Sequence, residues 1–137
     1  MNENKTIKEV YGLEYEVSEQ KSGLAEWYNR LIDKTIHELD EFDVGRMIRQ
    51  GILEEIAIER GIAIFEKDST AGGLYEGDVL ESLCLAIRKV QLPTNQLSRL
   101  INAASKAKST MDDCEWEDDE EKRQFSANLE TVCAMKN

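Results

Sequence analysis

Apolar residues return at helical intervals along most of this chain. Leu24, Trp27, Tyr28, Leu31, Thr35 and Ile36 follow such spacing, which predicts an amphipathic helix from Ser22 onward, with the aromatic pair as core side chains. Before it, the first 20 residues show mixed charge and weak pattern. "EVYGLEY" could make a short strand, but Gly12 interrupts it, and the segment is read as loose.

The next stretch, "LDEFDV", carries a helix start. Asp40 is a suitable N-cap, Asp43 falls in the favourable first turn, and Leu39 and Val44 occupy hydrophobic-staple positions. A short helix is expected to run to Gln50, with Val44, Met47 and Ile48 inward, Arg46 and Arg49 on other faces, and Gly51 ending or bending it.

"ILEEIAIERGIAIFEK" is the most informative segment. On a helical wheel Leu53, Ala57, Ile58, Gly61, Ile62, Ile64 and Phe65 share one half. Glu55, Glu59, Arg60, Glu66 and Lys67 take the other half, with Ile56 and Ala63 among them. So broad an apolar face predicts a central helix over residues 52–66, packed against several others. Gly61 within it costs up to about 1 kcal/mol relative to alanine, which points to close crossing by a neighbouring helix.

"DSTAGGLYEGD" reads as a turn, with Gly72 and Gly73 available for positive φ and Gly77 placed before a helix start. Val79, Leu80, Leu83, Cys84, Ile87 and Val90 mark the helix after it. Pro93 suits the first position of the next helix, which carries Leu97, Leu100, Ile101, Ala104, Ala107 and Met111. Phe125, Leu129, Val132 and Cys133 give a last, short helix. The expectation is an all-α, single-domain bundle of about six helices spanning residues 1–137, with no convincing strand pair and no solenoid repeat.

Composition changes this picture in one place. The 137 residues include 17 basic and 28 acidic side chains, a net charge of −11. Eight of those acids fall in "DDCEWEDDEE", residues 112–121, and without them the charge would be −3. The acidity is largely local. With 41% hydrophobic residues the chain has enough apolar material for a core, and a chain of this length buries roughly two-thirds of its unfolded surface.

The same composition narrows the function classes. An acidic balance disfavours direct contact with nucleic acid, whose phosphates call for lysine and arginine, and favours attraction of basic partners. No apolar run approaches a membrane span, and the polar start "MNENKTIKEV" lacks the form of a signal peptide. Cys84, Cys114 and Cys133 form no CxxC pair, as expected of reduced thiols in a cytosol. The expected location is cytoplasmic, with no membrane partner.

Catalytic chemistry finds little support. His37 is the single histidine, reads as structural or solvated, and has no cysteine or serine partner in a recognisable nucleophile pattern. The acidic run lacks the glycine and ligand spacing of a calcium loop, so no metal is expected there. "AGGLYEGD" follows a helix and lacks the lysine of a phosphate loop, so no cofactor is implied. Arg46, Arg49, Arg88 and Lys89 could form a basic face, but against the overall acidity they read as scattered solvated charges. The expectation is a protein that is not an enzyme.

The middle of the chain carries a resemblance. "DVGRMIRQGILEE" followed by "AIFEKDSTAGGLYEGDVLESL" resembles a family of contact-dependent growth inhibition (CDI) immunity proteins. That family has a short helix ending in glutamine or Arg-Gln, then a hydrophobic helix, then a turn leading into a Tyr-x-Gly-Asp-Leu-Leu helix start. The matching residues are Arg49 and Gln50, the helix to Phe65, Lys67 and Asp68, then Tyr75, Gly77, Asp78, Val79 and Leu80. The similarity runs from Leu39 to Ile87 and departs from the family at Glu59 and Ser69, where it has prolines.

The resemblance implies a cytoplasmic protein that binds the C-terminal toxin domain of a surface effector in a one-to-one complex. Such toxins are frequently nucleases, often acting on tRNA, and nuclease domains are usually basic. Arg49, Gln50, Tyr75, Gly77 and Asp78 then read as architectural rather than contacting. An acidic helical adaptor or chaperone-like module is the rival reading.

Two readings of the acidic run stand side by side. In one it is a solvated linker that keeps the protein soluble. In the other it belongs to the toxin-facing surface. Asp112, Asp113, Glu115, Glu117, Asp118, Asp119, Glu120 and Glu121 would then steer a basic toxin, and Trp116 would contribute contact.

Overall fold

The computed structural model describes residues 5–16, 23–72, 77–113 and 116–135. Seven α-helices and no strand occur among them: α1 (Ile7–Tyr11), α2 (Gly23–Ile32), α3 (Glu41–Gln50), α4 (Glu54–Lys67), α5 (Asp78–Lys89), α6 (Thr94–Thr110) and α7 (Asp119–Cys133). Short 3₁₀ turns at Ile36–Glu38 and Met111–Asp113 complete the regular structure. Of the residues singled out in the sequence, Ser22, Gly73, Tyr75, Cys114 and Glu115 lie outside the described residues.

Helix α4 is the hub, packing against α3, α5 and α6, while α7 covers α5 and α6. Three neighbours explain why its apolar arc is so broad. Ala57, Ile58, Ile62 and Phe65 are buried as the wheel predicts. Ile56, placed by the wheel among the polar residues, is buried as well. Leu53 is only half-buried and stands just before the helix in the left-handed region, φ 49°. A carbon added at Gly61 would lie 3.1 Å from both Leu83 of α5 and Val44 of α3. The missing side chain is what lets these two helices approach so closely.

Local signals set the ends of the elements. The Asp40 side chain accepts from Asp43 N at 2.9 Å, and the Asp43 carboxylate accepts in return from Asp40 N at 3.2 Å. This reciprocal capping box fixes the start of α3. Leu39 and Val44, the staple positions, are both fully enclosed. Asp43 also receives Trp27 Nε1 at 3.3 Å and Lys34 Nζ at 2.6 Å, so one buried carboxylate joins α2 to α3. At the far end Gly51 and Ile52 donate back to Ile48 and Met47, closing the helix.

Several sequence expectations are adjusted. The segment "EVYGLEY" forms no strand; its first three residues close a helix, Ile7–Tyr11, whose capping box is formed by Thr6 and Glu9. That helix is anchored: Ile7 is fully buried and its N–H donates to Lys34 O at 2.8 Å. Helix α2 ends at Ile32, so Ile36 belongs to the following 3₁₀ turn and Thr35 is the N-cap of that turn. Pro93 occupies the N-cap of α6 rather than its first turn. The last helix is long, because it begins inside the acidic run at Asp119.

Candidate functional site: an acidic face at the start of α7

The acidic run is divided between three settings. Asp112 and Asp113 lie in the 3₁₀ turn after α6 and are exposed. Trp116, Glu117 and Asp118 form the connection, and Asp119, Glu120 and Glu121 make the first turn of α7. Asp118 is the N-cap, its carboxylate accepting from Glu121 N at 2.8 Å. Carboxylates suit this position because the first-turn amides leave a partial positive charge there. So one helix start holds the run in place, and its acids help to form that start.

The tryptophan is directed mainly inward. Trp116 is half-buried; its ring centroid lies 4.9 Å from that of Phe125, and Nε1 donates to Met111 O at 2.9 Å. Lys122 ties back to Asp112 at 2.7 Å, and this partner carboxylate holds the ammonium above its ordinary pKa. Lys108 pairs with Glu130 at 2.6 Å between α6 and α7, with the same direction of shift. These exposed pairs add little stability individually. Together with the indole they set where the acidic connection runs.

Phe125 links this face to the motif residues. Gly77 has φ 86°, and a carbon placed on it would come within 2.8 Å of the Phe125 ring. Glycine is therefore needed for both backbone conformation and space. Beside it, a recess of about 330 Å³ is walled by Glu81, Asp118, Glu120 and Glu121, with Gln124 and Asn128 deeper along α7. Glu81 comes from α5, far from the run in sequence. It joins the acidic face only because α5 and α7 pack together, and no spacing pattern could have pointed to it.

The other motif residues form a separate cluster. Arg49 Nη1 lies 3.6 Å from Asp78 Oδ1, joining the last turn of α3 to the first turn of α5. Asp78 is almost fully buried. Gln50 is exposed at the last position of α3, and its side chain makes no hydrogen bond among the described residues. Of the four basic residues that could have formed one face, Arg46 stacks 4.7 Å over the Trp27 ring and Arg49 turns to Asp78. Arg88 and Lys89 stand apart from them at the end of α5.

Chemically, this arrangement presents carboxylates held at a fixed helix start beside a partly exposed aromatic ring. It suits recognition of a cationic surface by charge and shape. Among the described residues no group of three or more His, Cys, Asp or Glu is placed to hold a metal ion. None of the described helices is long and apolar enough to cross a membrane.

Comparison with known proteins adds the remaining information. The chain matches no curated protein. The profile of CDI immunity proteins matches residues 9–100, from α1 into α6, and leaves the acidic face of α7 outside the match. With the matched region covering most of the sequence, and the fold all-α as the resemblance implied, this chain belongs to the CDI immunity protein family.

Proposed function

We propose that the protein neutralises the toxin domain of a CDI effector by one-to-one binding in the cytoplasm, with no catalytic step of its own. Family membership is the observation that carries this reading. The toxin is expected to be basic, and a nuclease, possibly one acting on tRNA, is the class whose charge best complements an inhibitor of net charge −11. Inhibition then needs no contact between this chain and nucleic acid.

The acidic face from Asp112 to Glu121, with Glu81 beside it, is the proposed toxin-facing surface. Its support is that Asp112, Asp113, Glu117, Asp118, Asp119 and Glu120 are exposed, with Glu81 and Glu121 half-buried beside them, and that the start of α7 holds Asp118 to Glu121. Opposite charge held in place raises the encounter rate, and unpaired charge penalises a wrong partner. The motif residues Arg49, Gly77 and Asp78 are assigned a structural role, because their contacts are made within the fold.

Co-expression with the C-terminal domain of the effector encoded beside it tests the reading. The two should co-purify as a one-to-one complex, and the protein should protect sensitive cells from that toxin alone. Equal protection against toxins of several unrelated sequence types would contradict it.

A further inference from the structure

The C-terminal end of α5 carries a surface unlike the rest of the molecule. Ile87, Leu92, Leu97 and Met135, together with the polar Gln91 and Thr94, wall a recess of about 420 Å³ between the end of α5, the start of α6 and the end of α7. No acidic residue lines it. Arg88 and Lys89 stand on its rim, both exposed and neither in an ion pair among the described residues. Val90 beside them is 40% exposed. On a chain of net charge −11, two adjacent cations that form no ion pair among the described residues, over a recess lined by both apolar and polar side chains, are a local reversal of the protein's electrostatics.

Other features carry less. The acidic recess at Gly77 belongs to the toxin-facing surface already described. Phe42 is 57% exposed, but it is one side chain, and isolated apolar residues are normal on protein surfaces. Arg99 is fully used, holding Glu59 and Glu66 of α4 at 2.7 Å each. The groove at the end of α5 differs because its shape, its aliphatic patches and its cationic rim together point to one kind of occupant.

We propose that this groove is a second docking surface, which takes an extended acidic segment of a partner protein whose aliphatic side chains enter the hollow while its carboxylates meet Arg88 and Lys89. Apolar walls reward aliphatic side chains, and the cationic rim selects against basic segments. An interior-facing role for the two cations is excluded by their exposure. The proposal stands apart from toxin neutralisation, which uses the acidic face on α7.

The test uses the full-length ¹⁵N-labelled protein and the peptide acetyl-Asp-Leu-Glu-Leu-Asp-amide at low salt, followed by NMR. Shifts should appear at residues lining the groove, and the matching Asn/Gln peptide should bind more weakly. The double variant R88E/K89E should keep the wild-type spectrum elsewhere and weaken peptide binding about tenfold or more, the size expected of two surface ion pairs. Protection against the toxin should be unchanged. Absence of shifts at millimolar peptide, equal response to the neutral peptide, or shifts centred elsewhere would overturn the proposal. So would concentration-dependent self-association that R88E/K89E abolishes, since the occupant would then be a second copy of this chain. Lost protection in that variant would merge the groove with the toxin interface and remove its separate role.

Discussion

Arg49 of α3 and Asp78 of α5 meet at 3.6 Å directly over Gly45, where an added carbon would lie 2.9 Å from the guanidinium and 3.5 Å from the carboxylate. The three residues act together. Gly45 leaves the space, Asp78 supplies a carboxylate that is 4% exposed, and Arg49 reaches in from a side chain that is 38% exposed. The motif that resembles the CDI immunity family thus joins two helices at one point.

Because Arg49 is partly exposed and its contact is long, Arg49→Ala should cost only about 1 kcal/mol in urea unfolding. Asp78→Ala removes a buried partner and should cost about 2–3 kcal/mol. A double variant that loses less than the sum of the two would confirm direct coupling. Strict additivity would show that the two residues act independently.

Gly77 and Gly12 make a controlled pair. Both have positive φ, 86° and 62°, but only Gly77 has a side chain against it, whereas nothing lies within 4 Å of a carbon added at Gly12. Gly12→Ala should therefore cost about 1 kcal/mol, the left-handed penalty alone. Gly77→Ala must in addition displace Phe125, and should cost about 2–4 kcal/mol with a blue-shifted or otherwise altered Trp116 fluorescence. Equal losses in chemical denaturation would mean that the Phe125 contact contributes nothing.

On the acidic face, changing Asp118, Asp119, Glu120 and Glu121 to amides should slow toxin association, and the difference should shrink as salt rises. Asparagine at position 118 still caps α7, so the fold should be retained. Trp116→Ala should speed dissociation but also lose stability, because the indole packs on Phe125 and donates to Met111. Trp116→Phe keeps the ring contact and separates the two effects. Stopped-flow association at two salt concentrations is the measurement; unchanged rates at low salt would leave the segment as a linker.

Cys84 offers a pH test of the core. It is buried, its Sγ lies 3.6 Å from Asn128 O, and burial pushes its thiol pKa up to about 11 from the ordinary thiol value of 9.0. In the unfolded chain the thiol loses its proton near the lower value, whereas the folded protein keeps it. The stabilising contribution is thus complete below pH 9 and is lost as pH rises towards about 11. Wild type should lose more stability across that window than Cys84→Ala, which has no thiol to titrate. Parallel pH profiles would show that Cys84 is not sequestered.

What the sequence determined by itself was whatever depends on near neighbours along the chain. The Asp40–Asp43 capping box, the end of α3 at Gly51 and the central helix ending near Phe65 all follow from interactions within a turn or two. Gly61 belongs here too, since a costly glycine in a strong helix already implied close crossing. Tertiary structure alone decided how many sides of each helix would be covered. A wheel finds one apolar face, but α4 has three neighbours, and so Ile56 is buried from a position that reads as polar. The same holds for the N-terminal segment, whose weak pattern hides a helix because its anchors are a single buried Ile7 and hydrogen bonds to the distant Asn29, Asp33 and Lys34. Glu81 joins the acidic face through packing with residues far away in the chain, and Phe125 draws Trp116 inward across the turn that starts α7. Such contacts have no period, and they exist only once the packed helices have fixed which side chains meet.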